Sequence, residues 1–166
     1  MLSELMKNKK CIAVAGSHGK TTTTSLVGNI LESGKLDPTI INGGIINSLS
    51  KNNKFGKGKW MVVEADESDG SFLKLPHEIS IITNLDIEHL DYYKTPKKLY
   101  SSFEKFIMNL PFYGTSIINE DDKNLKKIIQ KNDTRRIITF SIKNKKSNVF
   151  VDNIPVSYTH LTLPTK

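Results

Sequence analysis

The order of apolar segments along the chain restricts its fold more than any other feature. Short apolar runs of the length of buried strands alternate with segments whose apolar residues recur at helical spacing. Strands separated by helices are typical of an open, mostly parallel α/β sheet flanked by helices, and 166 residues suit one such domain. The predicted strands are 11–15, 38–41, 60–65, 78–84, 115–119 and 135–141, with a turn at 42–44.

Three helices are predicted between these strands. The first runs from Lys20 to Ser33, the second is opened by Pro96, and the third is capped by Asp121 or Asp122. The apolar residues that give the segments their helical pattern are Leu26, Val27, Ile30 and Leu31 in the first, Leu99, Phe103, Phe106, Ile107 and Leu110 in the second, and Leu125, Ile128 and Ile129 in the third.

Composition predicts a cytoplasmic globular protein with no membrane partner. Hydrophobic residues make up 37% of the chain, and no apolar run approaches the roughly 20 residues of a membrane helix. The first ten residues lack the apolar stretch of a signal peptide. The single cysteine, Cys11, lies in an apolar run, which indicates a buried thiol rather than a reactive one.

The net charge of +7 raises the alternative of a nucleic-acid-binding domain. The lysines are dispersed along the chain and form no dense basic helix, which favours a solvated lysine-rich surface. We therefore predict no nucleic-acid partner. Absence of salt-sensitive DNA or RNA binding would remove that alternative.

Residues 156–166, VSYTHLTLPTK, share neither the composition nor the periodicity of the preceding chain. They resemble a translated sequencing-adapter read-through, and the alternative is a native β-rich tail. The prediction is a partial domain over residues 1–155 followed by a non-native tail over 156–166.

The segment AGSHGKTTTT, residues 15–24, predicts a phosphate-binding loop between a strand and a helix. Gly19, Lys20 and Thr21 supply the end of the P-loop pattern, while its leading glycine position holds Val14, so that Gly16 gives a shorter form. Backbone N–H groups and the positive helix end can surround an anion here. Whether His18 contacts phosphate or only packs in the loop stays open. The predicted nucleotide-binding residues are Gly16, Ser17, His18, Gly19, Lys20, Thr21 and Thr22.

A buried apolar strand delivers Glu64 to its carboxyl end, where ligands bind in open parallel sheets. A carboxylate at this place is a candidate Mg²⁺ ligand, because Mg²⁺ prefers oxygen. Asp66 and Glu67 are weaker candidates, and a solvated acidic turn describes Asp69 best.

A third apolar strand ends in the polar segment 83–93, TNLDIEHLDYY. Its histidine, His89, could bind a second divalent ion or position a substrate. If three strand ends converge on one phosphate, Thr21, Glu64 and His89 should lie within about 10 Å, since two-metal sites space their ions about 4 Å apart.

Together these segments resemble the central domain of the Mur ligases, the ATP-dependent amide-bond enzymes of peptidoglycan assembly. The residues that carry the resemblance are AGSHGKTTTTSL (15–26), EADESDGSF (64–72), TNLDIEHLDYY (83–93) and NLPFYG (109–114). The resemblance covers about residues 1–155 and implies a P-loop NTPase-like α/β domain.

The resemblance implies catalytic roles for Lys20, Glu64 and His89. Gly19, Lys20 and Thr21 match the ATP-binding motif, with Thr21 and Glu64 on one Mg²⁺ and His89 helping to hold a second. Several members also use a carbamylated lysine, but no lysine of this chain matches it.

The implied reaction activates a carboxylate as an acyl phosphate and then joins it to an amine. Within the family, the motifs are most similar to those of the member whose partners are ATP, UDP-N-acetylmuramate and L-alanine, and the muropeptide ligase of cell-wall recycling is the close alternative. The flanking domains of the family are missing, so we expect a gene fragment that is inactive alone. A nucleotide-binding module without turnover and a P-loop kinase or other ATPase are the remaining alternatives.

Overall fold

The computed structural model describes residues 2–43, 53–131 and 134–151, and within them it contains seven strands, five α-helices and one 3-10 helix. The strands are β1 (Lys10–Ala15), β2 (Thr39–Ile41), β3 (Trp60–Glu64), β4 (Ile79–Ile82), β5 (Thr115–Asn119), β6 (Arg136–Ser141) and β7 (Val149–Phe150). The helices are α1 (Leu2–Met6), α2 (Lys20–Ser33), α3 (Leu90–Tyr93), α4 (Pro96–Met108) and α5 (Lys123–Lys131), and the 3-10 helix is Ser71–Lys74.

The seven strands form one open sheet in the order β2-β3-β1-β4-β5-β6-β7. All the pairings between neighbouring strands are parallel. The predicted α/β class and parallel sheet are therefore confirmed. The order places β1 between β3 and β4, so the carboxyl ends of these three strands lie side by side at one edge of the sheet.

The central strands are buried on both faces, which explains why they appear as continuous apolar runs rather than as alternating patterns. On one face, Cys11, Ala13 and Ala15 of β1 belong to the larger core with residues of α4 and α5. On the other face, Ile12 and Val14 pack with Val27 and Leu31 of α2 and neighbouring residues.

Helix α4 supplies the aromatic centre of the larger core. Its predicted apolar residues are buried, and the Phe106 ring lies 5.0 Å from that of Phe72 and 4.3 Å from that of His77, measured between centroids. Thr95 caps the helix by accepting a hydrogen bond from the Lys98 N–H, and Pro96 occupies the first turn as predicted.

Helix α2 has the predicted bounds, but only Val27 and Leu31 of its four predicted apolar residues pack against the core. Leu26 and Ile30 are 57% and 70% exposed, whereas Thr24 and Gly28 are buried. A Cβ on Gly28 would lie 2.4 Å from Cδ1 of Ile40, so the absence of a side chain lets the helix approach β2 closely.

Sequence patterns do not predict four short elements, which are α1, α3, β7 and the 3-10 helix. Asp122 is the cap of α5, because its Oδ1 accepts hydrogen bonds from the N–H groups of Asn124 and Leu125. The prediction for residues 156–166, and Gly44 of the predicted turn, lie outside the described residues. Among the described helices, none has the length and apolar character needed to cross a membrane.

Replacement of Phe106 by alanine should destabilise the protein by about 3–5 kcal/mol, because it opens a cavity beside Phe72 and His77. Phe112 is 90% exposed, so Phe112→Ala is the matched control and should change stability by less than about 0.5 kcal/mol. Urea unfolding of both variants measures the difference. Equal effects would contradict the packing described above.

The Cys11 thiol should resist alkylation in the folded protein. Burial raises its pKa to about 12, with a smaller contribution from Glu78. Since an unfolded thiol has a pKa of about 8.5, iodoacetamide at pH 8 should react about a thousandfold faster after unfolding in urea. Mass spectrometry of the two time courses measures this, and similar rates in both states would refute it.

Candidate functional site

The predicted phosphate-binding loop follows β1 and leads directly into α2. Gly16 and Gly19 both have positive φ angles, of 128° and 77°. A Cβ at Gly16 would lie 2.2 Å from Oγ1 of Thr83, so no larger residue fits without a shift. Gly19 is the N-cap of α2 and provides no side-chain cap for the first N–H groups of the helix. Such a helix start is suited to binding an anion.

The loop is fastened to the segment that follows β4. Asn84 holds the backbone of His18 twice, since its Oδ1 accepts from the His18 N–H at 2.8 Å and its Nδ2 donates to the His18 carbonyl at 3.0 Å. The Thr83 hydroxyl donates to the same carbonyl at 2.7 Å, and the Asp86 N–H donates to Oγ of Ser17 at 2.8 Å. The roles of Thr83 and Asn84 were not predicted, although both directly follow β4.

Lys20 bends back over its own loop. Its ammonium group donates to the Gly16 carbonyl at 2.8 Å and to the Ser17 carbonyl at 3.4 Å. It also forms an ion pair with Glu67, at 3.0 Å to Oε2. The sequence pattern did not predict this pair.

Thr21 and Glu64 meet at the carboxyl ends of β1 and β3. The Thr21 hydroxyl donates to Oε2 of Glu64 at 2.9 Å, and the Gly43 N–H donates to the same oxygen at 2.9 Å. Glu64 is only 8% exposed, so the strand holds its carboxylate in one place. A hydroxyl and a carboxylate at this distance form the oxygen donor set that suits Mg²⁺, with further ligands from water and phosphate.

His89 begins α3 with a positive φ angle of 55° and is half-buried. Its backbone carbonyl accepts hydrogen bonds from the N–H groups of Tyr92 and Tyr93, which fixes the start of that helix. In the described parts of the chain, no three His, Cys, Asp or Glu side chains lie close enough together to hold a metal ion. The assignment of His89 to a second metal stays a prediction.

The ring of His18 faces the segment after β4. Its Nε2 lies 3.1 Å from Oδ2 of Asp86 and 3.5 Å from Oε1 of Glu88, and all three side chains are solvent-exposed or partly so. The neighbours of His18 on this side of the loop are therefore two carboxylates.

The other acidic residues after β3 have structural partners. Oδ1 of Asp66 accepts from the Ser68 N–H, and Oδ1 of Asp69 accepts from the Ser71 N–H at 2.8 Å. The hydrogen bonds from Ser71 lower the pKa of Asp69 below its usual value. The acidic turn expected for Asp69 is therefore what the structure contains.

Comparison with known proteins identifies the family. A profile for the Mur ligase middle domain matches residues 14–164. The chain belongs to the Mur ligase family. This match runs into residues 156–166, whose origin stays a prediction.

Several curated relatives are UDP-N-acetylmuramate–L-alanine ligases. The protein of Bradyrhizobium sp. (strain ORS 278) is 50% identical over 156 residues, which are 94% of this chain and 33% of that relative. The protein of Azorhizobium caulinodans is 55% identical over 140 residues, which are 84% of this chain and 30% of that relative. This Mur ligase chain therefore spans about a third of the length of the curated relatives it matches.

Solved Mur ligase structures have the same fold. The UDP-N-acetylmuramate–alanine ligase of Thermotoga maritima is 32% identical with a TM-score of 0.69, and the match covers 85% of this chain and 30% of that one. The murein peptide ligase of Psychrobacter arcticus has a TM-score of 0.72 over 93% of this chain and 37% of its own. At 24% identity, the second likeness shows the fold alone.

Gly16→Ala should destabilise the protein by at least about 2 kcal/mol, because the new methyl group would overlap Thr83 and the Asn84 carbonyl. Gly34→Ala is the matched control, since Gly34 has a φ of −76° and its nearest neighbour would lie 3.4 Å away. That control should cost less than about 1 kcal/mol. Thermal unfolding compares the two, and a Gly16→Ala protein as stable as the control would contradict the geometry.

Proposed function

We propose that this chain is the ATP-binding part of a ligase that joins L-alanine to UDP-N-acetylmuramate. The observation that carries the proposal is the Thr21–Glu64 contact at the start of α2, directly beside Lys20. This edge of the sheet thus has a positive helix end, a cation and a pair of oxygen donors close together. A nucleoside triphosphate with its metal requires this combination. The names of the relatives support the choice of substrates.

The loop would bind the phosphates through its backbone. The positive φ angles of Gly16 and Gly19 let the loop turn into α2, whose first N–H groups form the positive end of the helix. Lys20 would place its charge beside the terminal phosphates. The hydrogen bonds from Thr83 and Asn84 to His18 would hold the loop in this shape before the nucleotide arrives, which reduces the entropy lost on binding.

Thr21 and Glu64 would hold one Mg²⁺, and His89 would contribute to a second. When bound, Mg²⁺ neutralises the charge that builds up on the transferred phosphoryl group. The contribution of the chain is positional, because β3 presents a nearly buried carboxylate at a fixed distance from the first turn of α2. Glu64 would therefore bind the ion without losing much side-chain freedom.

The proposed reaction forms an acyl phosphate on the muramoyl carboxylate and then an amide with L-alanine. Phosphoryl transfer depends on positioning and charge neutralisation more than on covalent help from the protein, which is what Lys20 and the loop supply. The UDP-sugar and the amino acid are partners in this proposal, and the cytoplasm, where ATP is present, is the proposed location.

ATP binding without turnover is the second candidate function. It is favoured by the short span of the chain relative to its relatives, since the chain matches only 33% of the Bradyrhizobium protein. For the chain alone, phosphate release in the presence of ATP, Mg²⁺, UDP-N-acetylmuramate and L-alanine distinguishes turnover from ATP binding without turnover. We expect binding of ATP by the chain alone and little or no release. The recycling ligase alternative predicts a preference for a muropeptide over L-alanine.

Glu64→Gln and Thr21→Ala should each weaken Mg²⁺-dependent ATP binding by about tenfold or more, the scale of one lost charge-assisted contact. Calorimetric titration with Mg²⁺ and with EDTA measures the metal-dependent part. Asp69→Asn is the matched control, because Asp69 lies in the same acidic segment, is exposed and caps a turn. Its affinity should stay within twofold of the wild type, roughly the scatter expected for a neutral surface change.

Two results would contradict the proposal. One is a wild-type chain that binds no ATP in the presence of Mg²⁺. The other is a Glu64→Gln protein whose affinity for ATP equals that of the wild type both in Mg²⁺ and in EDTA.

A further inference from the structure

Glu67 is an almost completely buried carboxylate that contacts the lysine of the phosphate loop. Its side chain is 2% exposed, and its two oxygens lie 3.0 and 3.2 Å from Nζ of Lys20. Burial raises the pKa of the Glu67 carboxyl, and the Lys20 ammonium opposes that shift. Each charge therefore stabilises the other in a place with little water.

The backbone of Glu67 is fixed from two directions. The Tyr93 hydroxyl, itself buried, donates a hydrogen bond to the Glu67 carbonyl, and the Gly70 N–H donates to the same oxygen at 3.1 Å. The position of Glu67 therefore depends on α3 as well as on β3. A carboxylate held in this way is suited to orienting a flexible partner.

The hydrogen bonds of the Lys20 ammonium group differ in length. An ammonium group has three N–H donors. The contacts to the Gly16 carbonyl and to Glu67 are of ordinary length, at 2.8 and 3.0 Å, whereas the contact to the Ser17 carbonyl is 3.4 Å. The long contact is the one that a phosphate oxygen could replace at least cost.

We propose that Glu67 is the positioning residue for Lys20 and keeps its ammonium beside the loop while one N–H turns from Ser17 to a nucleotide phosphate. This proposal rests on the proposed function, because it requires that a phosphate binds at the loop. Movement of Lys20 away from Glu67 would leave a buried carboxylate without its cation, which is strongly unfavourable. Lys20 therefore stays paired when the nucleotide binds, and Glu67 acts through it rather than on the substrate.

A double-mutant cycle on ATP binding tests this. Glu67→Gln keeps the shape and an oxygen acceptor but removes the charge, and it should weaken binding about tenfold, the scale of one charge-assisted hydrogen bond. Lys20→Met should weaken binding further, and in its background Glu67→Gln should have no additional effect. Asp69→Asn is again the control and should leave the affinity unchanged.

The cycle separates this proposal from the proposed function. If the wild type does not bind ATP, the proposed function fails and this inference falls with it. If the wild type binds ATP but Glu67→Gln binds equally well or more tightly, only the positioning role is overturned. An unchanged loss in the Lys20→Met background would also overturn it, because Glu67 would then act independently of the lysine.

A second measurement leaves Glu67 unchanged and records its signals on the wild-type chain, with a variant needed only for assignment. A paired ammonium group exchanges its protons slowly enough to give a ¹H–¹⁵N signal at low temperature, and Lys20→Met assigns it by removing it. We expect this signal in the wild-type chain, and on addition of ATP and Mg²⁺ it should shift yet persist. Its absence from the free protein, or its loss on addition of ATP, would overturn the proposal.

Discussion

The parallel pairing of β1 with β3 on one side and β4 on the other is the constraint on which the site depends. Val14 lies opposite Glu64 in the register of the first pair, and Ala15 lies opposite Ile82 in the second. Because both pairs are parallel, each strand ends at the same edge, and the segments that follow them must meet there. The backbone pairing of the strands therefore places the loop, the buried carboxylate and the polar segment after β4 side by side, whatever side-chain contacts the site makes.

The parts of the fold that the sequence predicts are those in which burial determines the pattern. The central strands are apolar because helices cover both faces, and α4 has a regular apolar side because it packs on one of them. Helix α2 shows where this reasoning fails. Its contact with β2 depends on Gly28, which has no side chain and contributes nothing to a hydrophobic pattern. Leu26 and Ile30 belong to the apolar pattern with Val27 and Leu31, yet they remain exposed. A helix as short as α3, with four residues, spans only about one turn, which is too short for a helical period to be visible.

The contacts of the site also divide into those that the sequence predicts and those that it does not. The meeting of Thr21 and Glu64 follows from strand ends alone, because β1 and β3 are neighbours. The pairing of Lys20 with Glu67 does not, because it joins side chains 47 residues apart and depends on the turn after β3 directing Glu67 inward while Asp69 points to solvent. A run of acidic residues in the sequence does not predict which of their carboxylates is buried. Only the packing of α3 on that turn, through Tyr93, distinguishes them.

The charges around the loop favour a divalent cation in the proposed site. Lys20 is paired with Glu67, and His18 faces Asp86 and Glu88, so the excess positive charge of the chain is not concentrated where a triphosphate would bind. Glu64 adds another negative charge beside the helix start. Like charges repel more strongly where burial excludes water, as it does at Glu64. In the proposed function a triphosphate would therefore bind better as a complex with a divalent cation than as a free anion, because the cation would neutralise the phosphate and the buried carboxylate together.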